Sequence, residues 1–250
     1  ERNSVYDEFR DKQGTIMIGS IGRREARHIL IDVGRATGIF PIEEQVPTEN
    51  YRTGMRMKFY VMSVAMTTKG PEIILSRAHP ELVREVFQNE IPEIATGTVK
   101  IKAIAREAGS RAKVAVATDD SSIDPVGSCI GQRGTRIQTI IAELGGEKID
   151  LIVWSKEPRE FVTAALAPAK VSGIEFIDAE HVAIVTVPSE QLSLAIGRGG
   201  QNVRLAARLT GWKINVRDLV GAEVPVVTPT ETIQEPSEEI PTEETQESST

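Results

Sequence analysis

The chain has 250 residues, 40% hydrophobic but only 4% aromatic, which supplies ordinary cores and leaves little for base-stacking platforms. Its net charge of −7 is unevenly placed: from Leu219 onward there are eight acidic residues and no Lys or Arg, leaving 28 acidic against 29 basic in residues 1–218. A near-neutral body excludes a broad basic field, so attraction to phosphate must be local; one cysteine, Cys129, excludes a disulfide framework and fits a reducing, cytoplasmic compartment, and no apolar run reaches the roughly 18 residues of a membrane span.

Residues 1–13 (ERNSVYDEFRDKQ) put Val5, Tyr6 and Phe9 on one side of a short helix, as at the end of a connecting helix. Residues 14–77 then carry five short strand patterns, TIMIGSI, HILIDVG, TGIFP, MRMKFYVMSV and EIILSR, punctuated by Gly and Pro, which predicts a small closed barrel. Their order and the closing Ile73-Ile74-Leu75-Ser76-Arg77 resemble the OB-fold RNA-binding barrel of ribosomal and cold-shock protein families. That resemblance implies a binding face of exposed basic and aromatic residues, with Arg24, Arg27, His28, Phe40 and Arg52 as candidates. Phe40 reads equally well as core, and His28 as an ordinary strand residue.

Residues 78–156 predict an amphipathic helix over 80–94 (Leu82, Val83, Val86 and Phe87 inward), a hairpin with strands at 99–102 and 112–117, two helices, and a strand over 149–154. Residues 157–218 restart the cycle, with a helix at 158–167, strands near 171–177 and 182–187, two helices and a strand at 213–217. Only Pro168, Ala169 and Lys170 interrupt it, so the two copies are expected to pack rigidly and present one surface. Residues 219–250 are rich in Thr, Pro, Glu and Ser, a composition that cannot offset its ordering entropy and predicts a disordered acidic tail.

Each pair of helices is joined by a glycine turn, IGQRG at 130–134 and IGRGG at 196–200. With 20 glycines a Gly-x-x-Gly spacing arises by chance, and Gly19-Ser20-Ile21-Gly22 reads as such a decoy. The other two repeat in register: Gly131, Gly134 and Gly145 recur as Gly197, Gly200 and Gly211. Ile137, Ile140, Ile141 and Leu144 line one helical face after the first turn, and Val203, Ala206, Ala207 and Thr210 repeat the spacing after the second. A turn without side chains lets a sugar-phosphate strand approach the main chain, and the helix start behind it offers free N–H groups and partial positive charge. This arrangement resembles the KH module, whose loop clamps about four nucleotides of single-stranded nucleic acid. The alternative is a pair of helical hairpins whose glycines only permit close packing.

The strings DPVGSCIGQRGTRIQTIIAELGGEKID and SLAIGRGGQNVRLAARLTGWKI, following a barrel, resemble the NusA family of bacterial transcription elongation and termination factors over residues 1–218. The resemblance implies an OB-fold barrel followed by two KH domains of the bacterial type. It also implies binding of nascent single-stranded RNA and modulation of pausing, termination and antitermination by RNA polymerase. The family's polymerase-binding N-terminal domain has no counterpart in this sequence beyond its exit helix. Carried over by position, the RNA-contacting set is Gly131, Gln132, Arg133, Gly134 and Arg136, then Gly197, Arg198, Gly199, Gly200, Gln201, Asn202 and Arg204. No metal site or catalytic activity is expected, because His28, His79 and His181 are scattered and form no metal-spaced cluster; a monomer without cofactor is also expected. The competing reading is an RNA-binding accessory of RNA decay or ribosome assembly.

Overall fold

In the computed structural model, which describes residues 2–220, 228 and 233–234, the first helix α1 (Arg2–Arg10) lies across the end of a five-stranded barrel. Phe9 fixes it there, with its ring only 1% exposed in the barrel core and Val5 and Tyr6 packed beside it. The strands are β1 (Ile16–Arg24), β2 (His28–Asp32), β3 (Thr37–Pro41), β4 (Arg56–Thr67) and β5 (Gly70–Ser76), closed in the order β1-β2-β3-β5-β4. Their inward positions, among them Ile29, Ile31, Phe59, Val61, Ile73 and Leu75, form one apolar core, so closure removes the unpaired edges a free sheet would expose.

The chain leaves the barrel through Arg77 into α2 (Pro80–Glu90), started by His79, whose ring nitrogen accepts from the Glu81 N–H at 3.1 Å. Burial holds the His79 pKa below its ordinary value, and the ring stacks on Tyr60 at 4.6 Å, so it acts as a neutral cap. The single helix expected over 80–94 is in fact two, α2 and α3 (Pro92–Ala95), broken at Ile91 in extended backbone. Pro92 explains the break: its ring disfavours helical backbone in the preceding residue and it has no N–H to donate.

The next sheet holds β6 (Lys100–Glu107), β7 (Arg111–Ala117) and β8 (Lys148–Val153), with α4 (Pro125–Ile130) and α5 (Thr135–Glu143) between the last two. Within the acidic segment, Ile233 and Gln234 pair with Ile104 and Ala103 on the outer edge of β6; otherwise the disorder expected over 219–250 falls, beyond Leu219, Val220 and Thr228, outside the described residues. The second copy contains α6 (Pro158–Ala165), β9 (Gly173–Ile177), β10 (Val182–Val187), α7 (Leu192–Ile196), α8 (Gln201–Thr210) and β11 (Lys213–Asp218). In both copies the last strand runs parallel to its neighbour.

The two copies share one core. On β6 and β7, Ile104, Val114 and Val116 face the helices of the first copy, while Ala103, Ala105 and Ala115 on the opposite face join Val203, Leu205, Ala206 and Leu209 of α8. Alanine leaves the room in which α8 lies directly against β6 and β7. The turn that ends α6 is held from both copies: the buried Lys113 ammonium of the first donates to the Ala167 carbonyl at 3.0 Å, and Asn202 of the second to the Leu166 carbonyl at 3.1 Å.

The barrel is joined to the first copy by two buried arginines. Arg77 donates to both oxygens of Glu49, to the Lys58 carbonyl at 2.8 Å and to the Glu143 carbonyl at 2.9 Å. Arg106 donates to both oxygens of Glu147, and its remaining Nη1 to the carbonyls of Arg77 and His79, each at 2.9 Å. The Arg106 and Glu147 side chains are 1% and 0% exposed, so neither charge has water to replace its partner. We expect Glu147→Ala to lower unfolding free energy by about 3–5 kcal/mol, and an apolar pair at both positions to recover most of it. Urea denaturation checks this, with loss of barrel and first-copy structure in a single transition.

Candidate nucleic-acid interface

The backbone reproduces the duplication to within a few degrees. Gly131 and Gly197 have φ/ψ of 74/175° and 76/173°, Arg133 and Gly199 of 53/25° and 58/25°, and Gly134 and Gly200 of 75/16° and 74/13°. These are left-handed or extended positive-φ conformations that glycine adopts without strain. Arg133 alone among these adopts one with a side chain. Gly134 and Gly200 are the N-caps of α5 and α8, and no side chain caps either helix, so the first N–H groups of each start behind the loop without a side-chain acceptor.

The glycines divide into two kinds. A Cβ on Gly131 would come within 2.7 Å of the Arg136 side chain, and one on Gly197 within 2.8 Å of the Asn202 backbone nitrogen. On Gly134 the nearest atom would be Ile137 Cγ2 at 4.0 Å, and on Gly200 Arg204 Nη1 at 3.7 Å. The first glycine of each loop is therefore demanded by packing within the hairpin, and the last opens outward to a bare backbone.

Two residues of the expected RNA-contacting set brace the loops. Arg136 and Asn202 occupy equivalent positions 66 residues apart. Arg136 Nη1 donates to the Ser128 carbonyl at 2.8 Å and to Glu93 at 2.9 Å, whereas Asn202, 3% exposed, donates to the carbonyls of Ala195 at 2.9 Å and Leu194 at 3.4 Å. Each ties the helix after its loop to the helix before it. Gln201 and Arg204 are likewise engaged, with Glu107 of the first copy. Gln132, Arg133, Arg198 and Gly199 are exposed at the loop tips. Beside the first loop runs an open groove of about 750 Å³, lined by Ser122, Asp124, Ser128, Gly131, Gln132 and Arg136 among others. Cys129 is buried behind it, and burial pushes its thiol up to about 12, as expected for a packing residue.

In the barrel, Phe40 is a correction. It is 0% exposed and packs edge-to-face on Tyr51 and Phe59 at 5.0 and 5.1 Å, so the strand alternation turns it inward and it cannot stack on a base. Arg24 and Arg52 are exposed, Arg27 is exposed beside Glu43 at 3.3 Å, and His28 lies 3.0 Å from Glu25. Among the described residues no group of three His, Cys, Asp or Glu could hold a metal ion, and no helix is long and apolar enough to cross a membrane.

Residues 77–154 match the model of the NusA-like first KH domain, and residues 158–223 that of the NusA-like second KH domain. This chain belongs to the NusA family. It is 49% identical over 217 residues to the transcription termination/antitermination protein NusA of Bacillus subtilis (strain 168), covering 87% of this chain and 58% of that protein. Against the protein of the same name from Thermus thermophilus it is 48% identical, covering 87% and 57%, and against that of Mycobacterium bovis 46%, covering 87% and 65%. The chain thus spans about 58% of the length of the Bacillus relative. The match reaches beyond the two KH domains into the barrel, since these domains alone could not account for 87% of the chain.

The two kinds of glycine in this NusA-family hairpin respond differently to a methyl group. Gly131→Ala and Gly197→Ala must displace packed atoms, costing about 1–3 kcal/mol, and also put a Cβ on an extended positive-φ backbone that is essentially restricted to glycine. Gly134→Ala and Gly200→Ala are expected to lose only the left-handed backbone penalty, about 1–2 kcal/mol. Thermal denaturation of the four single variants measures the difference.

Proposed function

We propose that this chain is the RNA-binding part of a transcription factor that holds nascent single-stranded RNA in two backbone clamps and modulates pausing, termination and antitermination by RNA polymerase. The observation that carries the reading is the pair of loops with the same positive-φ backbone, each opening at its last glycine onto an uncapped helix start. A phosphate lies well in such a place because the positive end of the helix dipole faces it and no Cβ intervenes. Relatives that cover most of this chain carry the name transcription termination/antitermination protein, which gives the RNA its context.

Within the clamps, Gly134 and Gly200 admit the backbone, Arg133 and Arg198 meet phosphate, and Gln132 offers an amide to a base edge or ribose hydroxyl. Gly131, Gly197, Arg136 and Asn202 keep the loops in shape. Arg24, Arg27, His28 and Arg52 extend the RNA path onto the barrel. The protein acts as a cytoplasmic monomer by binding rather than catalysis. Contact with polymerase is made mainly by the domain that precedes the barrel in this family.

The double variant Gly134→Asp, Gly200→Asp sets a carboxylate where each phosphate would lie while leaving the hairpins packed. RNA affinity should fall at least 100-fold, and the slope of log affinity against log salt should become shallower by about 0.7 per lost phosphate contact. In cells, the same variant in the full-length protein should lose crosslinks to transcripts and keep co-purifying with polymerase. Unchanged RNA binding contradicts the clamps; association with ribosomal subunits or a degradosome in place of polymerase contradicts the transcriptional role.

A further inference from the structure

Gln201 and Arg204 stand on the first turn of α8, directly after the second loop, yet their side chains reach into the other KH copy. Gln201 Nε2 donates to Glu107 Oε2 at 2.8 Å and to Ser110 Oγ at 2.7 Å, at the tip of the β6–β7 hairpin. Arg204 Nε donates to Glu107 Oε1 at 2.5 Å, and its Nη1 donates to the Gly199 carbonyl inside the loop at 3.0 Å. One carboxylate of the first copy is thereby connected, through a single guanidinium, to the peptide of the second clamp. The duplication does not require this. The equivalent residues of the first copy, Thr135 and Gln138, are exposed, so the second copy carries a latch the first lacks.

The latch is made by Gln201 and Arg204, and Asn202 between them in sequence reaches the turn that ends α6. Asn202 holds the Leu166 carbonyl, and Lys113, bonded to Asp150 at 3.1 Å, holds the neighbouring Ala167 carbonyl. Between these supports the start of α8 has little freedom to tilt. Burial works against the Glu107 carboxylate, but the hydrogen bonds from Arg204 and Gln201 more than offset it and hold its pKa below the usual range.

The geometry points to Glu107 as a positioning residue that, on top of the seat α8 has on β6 and β7, holds the second loop at one angle to the first, so that the pair selects single-stranded RNA presenting two contact segments at one set spacing. This rests on the clamp reading above and goes beyond it. Two independent clamps on a loose hinge would accept many spacings with a modest gain in affinity, whereas a rigid pair gains most at the spacing that matches and little elsewhere.

The test uses this chain and oligoribonucleotides carrying two copies of a short tract, selected on the wild-type protein from a random pool and joined by abasic spacers of increasing length. Wild type should show a sharp affinity optimum at one spacer length. Glu107→Ala should flatten that optimum and weaken binding there by about tenfold. Glu107→Gln, which keeps the shape and one acceptor, should fall between them. Binding of a single tract, measured with the second clamp disabled by Gly200→Asp, should be the same with Glu107 and with Ala. An unchanged optimum in Glu107→Ala overturns the proposal, as does an equal loss of single-tract binding, which would mark a general loss of structure. If Gly134→Asp and Gly200→Asp leave wild-type binding intact, it is the clamp reading that fails.

Discussion

The contact on which the rest of the molecule depends is that of α8 against the alanine face of β6 and β7. Ala103, Ala105 and Ala115 leave room on that face for the side chains of α8, and Leu205 and Leu209 are fully buried in the cluster they share. Because α8 begins at the second glycine loop, its seat on the first copy also decides where that loop points. Packing, orientation and binding geometry are consequences of one helix serving two units.

Around that contact the molecule places charged groups at its joints. The buried Arg77 and Arg106 join the barrel to the first KH unit, the buried Lys113 with Asp150 holds the turn after α6 of the second, and the partly exposed Glu107 and Arg204 span the seam between the KH units. Buried ion pairs seldom add much net stability over apolar packing, but separating the partners leaves each charge buried and uncompensated. That property suits a protein whose separate binding elements have to keep a common register along one strand. The near-neutral charge of residues 1–218 fits the same picture, since affinity then comes from placed peptide groups and a few arginines at the loops.

Much of this was legible in the residues. Strand alternation and Gly/Pro punctuation gave the barrel, and the 66-residue repeat of Gly131, Gly134 and Gly145 gave the two hairpins. What escaped was what depends on tertiary partners. The apolar stripe of α8 was read from Val203, Ala206, Ala207 and Thr210, but Leu205 and Leu209 outside it are buried as well, because a second unit covers that side. The signal was present in β7, RAKVAVA, where alanine takes the positions that a solvent-facing strand would fill with polar residues. Arg136, Gln201, Asn202 and Arg204 draw attention in the sequence because they sit next to the glycines. Their protein partners, the carbonyls of Ser128 and Ala195 and the carboxylate of Glu107, lie elsewhere in the chain and are visible only in the fold. Phe40 was lost to the barrel core by the same alternation that identified its strand.

The central claim is that an unpaired strand lies against bare peptide at both loops. Amide hydrogen exchange with and without saturating single-stranded RNA tests it most directly. The account predicts slowed exchange at 131–137 and 197–203 together, with the two stretches protected at the same RNA concentration. Protection elsewhere with both loops exchanging as in the free protein would contradict it.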